Sequence, residues 1–190
     1  VQRLSELGAE VVEASPDLSD AREIFHVLRA NQFVGDLAPI IESNRDKVKP
    51  EVIWNLEQGY KLTADKLAEA ERGRGLLAQR AAAFFDDFDV LITPATIVAP
   101  FDVNIRAVNC CNDHEFENYF DWYTIAYAIT ATSLPALSLP CGFTADGLPV
   151  GLQVIGPPRG EASLLSAAQS MEDLFNIATL VPIDPRSPAQ

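Results

Sequence analysis

The sequence predicts an α/β fold, in which helices cover both faces of a β-sheet. Amphipathic stretches with apolar residues at helical spacing alternate along the chain with short apolar runs that are rich in β-branched residues. Such an alternation favours a sheet held between two helical layers. In addition, 190 residues with 48% hydrophobic content are enough to bury one sizeable core.

The charge of the chain excludes some classes of partner. Its 27 acidic residues outnumber 14 basic residues, which gives a formal net charge of -13. Such a charge opposes attraction to nucleic acid or to an anionic membrane, so we expect neither as a partner. No apolar run approaches the roughly 20 residues that a membrane helix needs, and the N-terminus lacks the pattern of a signal peptide. We therefore expect a cytoplasmic protein whose partners are small molecules or other proteins.

The first third of the chain is expected to form a helix-strand-helix unit. Residues 1–8 are typical of the last turns of a helix, and residues 9–14 are typical of a short strand. A helix is then predicted over residues 15–33, with Ser15 as its N-cap and Pro16 at its first position. Because the chain begins with valine inside an element, we expect it to be the C-terminal part of a longer polypeptide.

The middle of the chain is predicted to hold two more helices and one strand. The helices are expected over residues 50–60 and 63–88. Gly73 and Gly75 each lower helix propensity by up to about 1 kcal/mol, so a local irregularity is expected there. Residues 89–96, DVLITPAT, form a β-branched run that predicts a strand ending in a loop.

The last third is predicted to contain a helix, a strand pair and a final helix. After an irregular stretch over residues 97–115, a helical rhythm returns in residues 116–133. Two apolar runs then meet across Asp146-Gly147, a dipeptide that favours a tight connection between strands. A final amphipathic helix is expected over residues 161–175.

Prolines and glycines are frequent in the expected strand pair. We expect the prolines to lie at the ends of the strands, where a missing N–H breaks no ladder bond. Gly142 and Gly151 are expected to allow close approach of neighbouring backbone. The prolines concerned are Pro135, Pro140 and Pro149.

No complete catalytic constellation is visible in the sequence. A nucleophile elbow requires Gly-x-Ser-x-Gly, which does not occur. Of the two histidines, His26 is expected to be a partly buried structural residue and His114 to take no part in catalysis. The lysines lie among polar residues, where a lysine is solvated and is not activated as a base. These lysines are Lys47, Lys49, Lys61 and Lys66.

Metal and phosphate sites are also not expected. Cys110, Cys111 and His114 carry ligand types that suit zinc, but their spacing is wrong and no second cluster would complete the shell. The loop before the final helix lacks the Gly-Lys-Ser/Thr of a phosphate loop, and Glu161 would repel an anion. With Cys141 the cysteines number three, so free thiols are expected.

One continuous motif resembles a known family. Residues 135–156, PALSLPCGFTADGLPVGLQVIG, are similar to the C-terminal consensus of the amidase signature family. Three other pieces occur in the family's order: LGAEVVEASPDL, DVLITPAT and YFDWYTIAY. The resemblance covers roughly residues 1 to 180.

The resemblance implies both a fold and an activity. The fold would be the C-terminal part of an α/β/α sandwich around a large mixed sheet. Members of the family hydrolyse or transfer amide bonds through a serine, a second serine on a cis peptide and a lysine. These residues belong to a Gly-Gly-Ser-Ser-Gly type of signature in the family's earlier half, which this chain lacks. The resemblance therefore implies no catalytic residue and no cofactor here, and the chain alone is expected to be inactive.

The resemblance also implies candidate substrate-binding residues. Asp121, Trp122 and Tyr123 lie in the stretch where some relatives, notably the glutaminyl-tRNA amidotransferase A subunits, carry an aspartate that recognises the substrate's amino group. Asp121 precedes Pro135 by 14 residues, a spacing that is similar to the Asp-Trp subgroup of general amidases. Alternatively, Asp121 is a structural aspartate near a helix start, and the aromatic residues are part of the core.

The expected parent is an amidase that acts on a small carboxylic amide. Residues 1–190 would be the C-terminal portion of its single domain, and residues 181–190 are expected to be a frayed tail. The N-terminal half of the same polypeptide would then be a partner. Two alternatives are a binding or assembly protein on the same scaffold and a member of the tRNA-dependent amidotransferase A subunits. An open sheet edge in the isolated chain invites self-association, so a homo-oligomer or a marginally stable chain is expected.

Overall fold

A computed structural model describes residues 2–6 and 8–176, so the expected tail at residues 181–190 lies outside the described residues. The described chain alternates helices and strands. The helices are α1 Gln2–Glu6, α2 Ala21–Gln32, α3 Ala38–Ser43, α4 Pro50–Tyr60, α5 Ala64–Phe84, α6 Thr124–Thr132 and α7 Glu161–Phe175. A π-helical turn, Phe33–Leu37, joins α2 to α3, and a 3₁₀ turn, Asp121–Tyr123, precedes α6. The strands are β1 Leu91–Pro94, β2 Cys110–Cys111, β3 His114–Glu115, β4 Ala136–Phe143 and β5 Pro149–Ile155.

The main sheet has three antiparallel strands in the order β1-β5-β4. Side chains on a strand alternate between the two faces, and both faces of this sheet carry apolar residues. Val154 points to the face that is covered by α7, together with Leu139. Ile155, the next residue, points to the face that is covered by α5 and α6. The predicted arrangement of a sheet between helical layers is therefore confirmed.

The β4–β5 hairpin follows the sequence prediction closely. Thr144 and Leu148 close the turn, because the Thr144 N–H donates to the Leu148 carbonyl at 2.8 Å. Gly147 has a φ of +80°, a left-handed conformation that glycine adopts without strain. Gly151 faces β4 so closely that an added Cβ would lie 3.1 Å from the Ser138 hydroxyl. This glycine thus permits the close approach that the sequence predicted.

One proline of the hairpin departs from the prediction. Pro149 begins β5 and Pro135 precedes β4, as expected. Pro140, however, lies inside β4, so the expectation that all three prolines lie at strand ends is wrong. The strand tolerates it because β4 is an edge strand of the described sheet and its register shifts between Pro140 and Gly142. The irregularity is a bulge at the position where a ladder bond would be lost.

The expected strand at residues 9–14 is not formed. This segment is irregular and exposed, because no strand of the described residues pairs with it and an unpaired strand is not stable. The next helix, α2, begins at Ala21, so the expected start at Ser15-Pro16 is also wrong. The Asp17 carboxylate accepts the Ser19 N–H at 3.0 Å, which holds a turn in place of the first helical turns.

The helical middle of the chain is more regular than expected. Thr63 caps α5, and its hydroxyl accepts the Lys66 N–H at 3.2 Å. The helix then runs without interruption past Gly73 and Gly75, so the expected irregularity is wrong. At Gly73 an added Cβ would lie 3.1 Å from Ile24 of α2. The missing side chain therefore serves helix packing.

The excursion between β1 and α6 is largely irregular, as predicted. Its only regular element in the described chain is the short β2–β3 hairpin, in which Cys111 lies opposite His114. The three cysteines are free thiols, as expected. No helix within the described ranges is long and apolar enough to cross a lipid bilayer.

Candidate functional site

Asp121 lies in the 3₁₀ turn before α6 and is almost fully buried, with 5% of its surface exposed. Its Oδ2 accepts the backbone N–H of Glu117 at 3.1 Å and that of Asn118 at 3.3 Å. These two bonds hold the carboxylate against the chain just before the turn. They also fix the orientation of the turn that carries the other two predicted site residues.

Arg22 of α2 completes the environment of Asp121. Its Nε donates to Oδ1 at 3.3 Å and its Nη2 donates to Oδ2 at 3.0 Å, so the pair is bidentate. The hydrogen bonds that Arg22 donates to Asp121 are the main reason why the pKa of Arg22 is raised above its ordinary value. Arg22 also forms an ion pair with Glu117, with 2.6 Å between Nη2 and Oε2. The side chain of Glu117 is exposed, so this second pair is screened by water.

His26 lies one helical turn after Arg22 and packs beside the same carboxylate. Its Nε2 is 3.9 Å from Asp121 Oδ1, and no hydrogen-bond partner for this buried nitrogen exists among the described residues. Burial lowers the pKa of His26, and the charge of Arg22 lowers it further. The ring makes an edge contact with Phe120 at 4.5 Å between centroids. His26 is thus the partly buried histidine that the sequence predicted.

A second polar network flanks Phe120 on the side of α4. Asn55 is buried, and its Nδ2 donates to the Tyr119 hydroxyl at 2.6 Å and to the Glu51 carbonyl at 2.7 Å. Arg29 of α2 donates to the Asn55 side-chain oxygen at 3.3 Å. Arg22, His26 and Arg29 therefore form a polar stripe at i, i+4 and i+7 on the inner face of α2.

The sequence interpretation did not identify Arg22 or Asn55 as parts of this site. A signal for Arg22 was present, since its spacing from His26 and Arg29 places all three on one helix face. We found no comparable sequence signal for Asn55.

Trp122 and Tyr123 follow Asp121 directly but have different surroundings. Trp122 makes an edge contact with Phe101 at 5.3 Å and lines a cavity of about 540 Å³ between the loop after β1 and the start of β5. Tyr123 packs against Trp122 and Phe120, and burial raises the pKa of its hydroxyl. Only Trp122 of these two lines that cavity.

Asp121 lines a neighbouring cavity of about 570 Å³, which also contacts Thr124 and Ile125 of α6. Ile97 lines both this cavity and the one beside Trp122, so the two spaces meet at one side chain. Their volumes fall within the range of about 300–1,000 Å³ that is usual for small-ligand pockets. The structure thus brings two of the three predicted residues, Asp121 and Trp122, to two adjoining cavities, whereas Tyr123 lines neither.

The described residues that line these cavities include no lysine, serine or cysteine. The Lys66 ammonium is bound to Glu23 and Glu69, and the other three lysines are exposed. No group of three or more histidine, cysteine or acidic side chains within the described part of the chain could hold a metal ion. The arrangement can therefore bind and position a small molecule, and a nucleophile would have to come from elsewhere.

Comparison with known proteins places the chain in a family. The family model described as Amidase matches residues 1–165. The chain belongs to the amidase signature family. The resemblance seen in residues 135–156 is thereby confirmed.

Curated relatives of this amidase family member include enzymes with different names. It is 29% identical over 182 residues to an acylamidase of Rhodococcus erythropolis, covering 94% of this chain and 38% of that relative. Among the glutamyl-tRNA(Gln) amidotransferase A subunits, it is 31% identical over 204 residues to that of Prochlorococcus marinus (strain MIT 9303), covering 94% of this chain and 40% of the relative. The chain thus spans about two fifths of the length of these relatives.

Solved structures support the same fold. An amidase crystal structure matches 92% of this chain and 40% of its own chain, with a TM-score of 0.81 and 22% identity. A bacterial aryl acylamidase of the amidase signature family matches 96% of this chain and 41% of its own, with a TM-score of 0.75 and 17% identity. The α/β fold predicted from the sequence is that of these enzymes.

Proposed function

We propose that this chain is the C-terminal portion of a serine-dependent amidase that hydrolyses the C–N bond of a small carboxylic amide. The observation that carries the proposal is the family match over residues 1–165 in a chain that spans about two fifths of its relatives. Among the described residues, the two cavities have polar and apolar walls without a free lysine or a metal-ligating cluster, which supports a role in binding. A cytoplasmic location belongs to the same proposal.

The chemistry would use groups outside this chain. In the mechanism that the family resemblance implies, a serine oxygen bonds to the acyl carbon, the C–N bond breaks and the leaving nitrogen takes the serine's proton. Water then hydrolyses the acyl ester and regenerates the serine. In this scheme a lysine and a second serine on a cis peptide relay the proton, and no cofactor takes part.

The part of this chain in the proposed reaction is to hold the substrate. Trp122 and Phe101 form an apolar wall of one cavity. The ring of Tyr123 makes an edge contact with Trp122. Asp121 and Arg22 fix the turn from which Trp122 projects. The N-terminal half of the same polypeptide would close the site and bring the serines and the lysine.

The proposal is tested by comparing this chain with the parent polypeptide. Purified parent should release ammonia from a small amide, and a serine-reactive inhibitor should stop the release. The 190-residue chain alone should release none under the same conditions. Turnover by the purified chain that the inhibitor abolishes would contradict the proposal.

A second candidate function is that of the tRNA-dependent amidotransferase A subunits. It is favoured by the 31% identity to the Prochlorococcus marinus protein. The spacing of 14 residues between Asp121 and Pro135 counts against it, since the A subunits are expected to have about two fewer. Co-purification of the parent with B and C subunits, together with glutamine-dependent amide transfer, would establish this second function.

A further inference from the structure

Two adjacent cysteines make up the whole of strand β2. In the β2–β3 hairpin, Cys110 lies opposite Glu115 and Cys111 lies opposite His114. Cys110 is exposed and Cys111 is half-buried, and both are free thiols. A small oxidant in the solvent can therefore reach the Cys110 sulfur without any rearrangement of the chain, and a second thiol follows on the next residue.

The third cysteine has a less reactive environment. Cys141 lies in β4, and its thiol faces the Val150 carbonyl at 3.6 Å. Burial raises the pKa of the Cys141 thiol. Because the thiolate is the form that reacts with an oxidant, a raised pKa slows the reaction. The surroundings of the three thiols therefore direct oxidation to the pair in β2.

The extended strand keeps the sulfurs of Cys110 and Cys111 apart. Successive side chains of a strand point to opposite faces, and consecutive Cα atoms are about 3.8 Å apart, closer than the roughly 4.4–6.8 Å that is usual for a disulfide. A bond between the two sulfurs therefore requires β2 to leave its pairing with β3. The hairpin can yield, because it has only two residue pairs and such a short two-stranded unit is marginally stable.

The hairpin also forms part of the wall of the cavity that Asp121 lines. His114 of β3 and Phe116, which follows β3, both line this cavity. The Phe116 N–H donates to the Asn109 carbonyl at 2.8 Å, which closes the hairpin at its base. Loss of the β2–β3 pairing would therefore release two side chains of the cavity wall.

A direct bond connects the cysteine pair to the same wall. The Cys111 thiol donates to the Ile97 carbonyl at 3.4 Å, and Ile97 lines both this cavity and the cavity beside Trp122. A disulfide sulfur carries no hydrogen, so oxidation of Cys111 removes this bond. The oxidation state of the pair is thus linked to the segment that the two cavities share.

We propose that Cys110 and Cys111 form a site of reversible oxidation, at which a peroxide joins the two sulfurs in a disulfide and releases the β2–β3 hairpin from the cavity wall. This inference does not depend on the proposed amidase function. Asp113 in the hairpin turn and Glu115 opposite Cys110 are acidic. Their charges oppose an anionic oxidant but do not oppose neutral hydrogen peroxide.

The oxidation is balanced by one peroxide for each pair of thiols. The Cys110 sulfur attacks a peroxide oxygen, the O–O bond breaks, and a sulfenic acid and one water form. The Cys111 sulfur then attacks the sulfenic sulfur, the S–O bond breaks, and a second water leaves. The two thiols lose two electrons, which reduce the peroxide to two waters. Because strain makes a disulfide more reducible, a dithiol should reverse the reaction readily.

The first test counts the thiols of the 190-residue chain after treatment with hydrogen peroxide. The number of free thiols should fall from three to one, because two are consumed in the disulfide. A peptide that contains Cys110 and Cys111 should lose about 2 Da, the mass of two hydrogens, and a dithiol should restore it. Cys141→Ser should still lose two thiols, whereas Cys110→Ser should form no disulfide within the chain.

Several results of this test would overturn the proposal. They are earlier oxidation of Cys141, a sulfinic acid at Cys110 or Cys111 in place of the disulfide, and a disulfide between two chains. An unchanged thiol count under conditions that oxidise free cysteine would also overturn it.

The second test measures the release of the hairpin by hydrogen exchange. The Phe116 amide should exchange about tenfold faster or more in the oxidised chain, because its bond to Asn109 is lost. The amide of Leu77, a fully buried residue of α5, should keep its rate. The double variant Cys110→Ser/Cys111→Ser should show no change with peroxide. A disulfide that forms while exchange at Phe116 stays the same would contradict the release of the hairpin.

Discussion

The β4–β5 hairpin and the Asp121 cluster are built over very different distances in the sequence. In the hairpin, Ala136 pairs with Ile155 and every other pair is closer in sequence. In the cluster, Arg22 and Asp121 are separated by 99 residues. The hairpin is therefore specified by a local pattern, whereas the cluster exists only after α2 has packed against α6 and the turn before it.

The two regions also differ in what stabilises them. The hairpin is held by apolar burial on both of its faces, with Val154 and Ile155 fully buried. The cluster is held by charge-assisted hydrogen bonds around one buried carboxylate. This contrast shows why a motif can identify a family while the site that uses the fold depends on residues outside the motif.

The largest expected effect on the free energy of unfolding comes from a substitution in the hairpin. Ile155→Ala should lower the free energy of unfolding by about 2–5 kcal/mol, because it removes a fully buried side chain between β5 and the α5 and α6 layer. The matched control is Leu165→Ala on α7, where the side chain is 63% exposed and the expected change is within about 0.5 kcal/mol. Urea unfolding followed by circular dichroism measures both. Similar losses in the two variants would contradict the assigned core.

A smaller effect is expected at the hairpin turn. Gly147→Ala should cost about 1–2 kcal/mol, because alanine is strained at a φ of +80°. Gly75→Ala is the matched control: it lies within α5 with open space around its Cα, so it should stabilise the chain by up to about 1 kcal/mol. Thermal unfolding of the two variants should give changes of opposite sign. The same sign in both would show that the turn conformation does not limit stability.

The smallest effect is expected in the cluster, from the titration of His26. Its pKa is lowered in the folded chain, mainly by burial, so the unfolded chain binds more protons than the folded chain as the pH falls through about 6.5. Stability should therefore decline as the pH falls through about 6.5 and level off below the folded pKa of His26. His26→Gln should flatten this slope, and His114→Gln, which removes the chain's other histidine, should keep it. The measurement is the denaturant midpoint at half-unit pH steps. A slope of stability against pH that is unchanged in His26→Gln would contradict this account.

Much of the fold was accessible from the sequence because its signals are local. The strand at DVLITPAT, the hairpin at Asp146-Gly147, the long helix α5 and the final helix were all predicted at or near their observed positions. The strand predicted at residues 9–14 failed because a strand needs a partner, which local alternation cannot supply. The start of α2 was misplaced because the Asp17 side chain forms a turn that competes with the helix.

The candidate site was accessible only in part. Asp121, Trp122 and Tyr123 were named from the resemblance, and their role in substrate binding remains a prediction. Arg22, which forms the ion pair with Asp121, was missed because this pair depends on the packing of two segments that are distant in the sequence.

The most direct test of the central claim, that Asp121 is committed to Arg22, is a double-mutant cycle. The free energies of unfolding are measured for Arg22→Met, Asp121→Asn and the double variant, with the exposed pair Arg74 and Glu71 as a control cycle. We predict a coupling energy of about 1–3 kcal/mol between Arg22 and Asp121, because the pair is bidentate and the Asp121 carboxylate is buried. The control pair should couple by about 0.5 kcal/mol or less. Additive effects at Arg22 and Asp121, within the control's range, would contradict the claim.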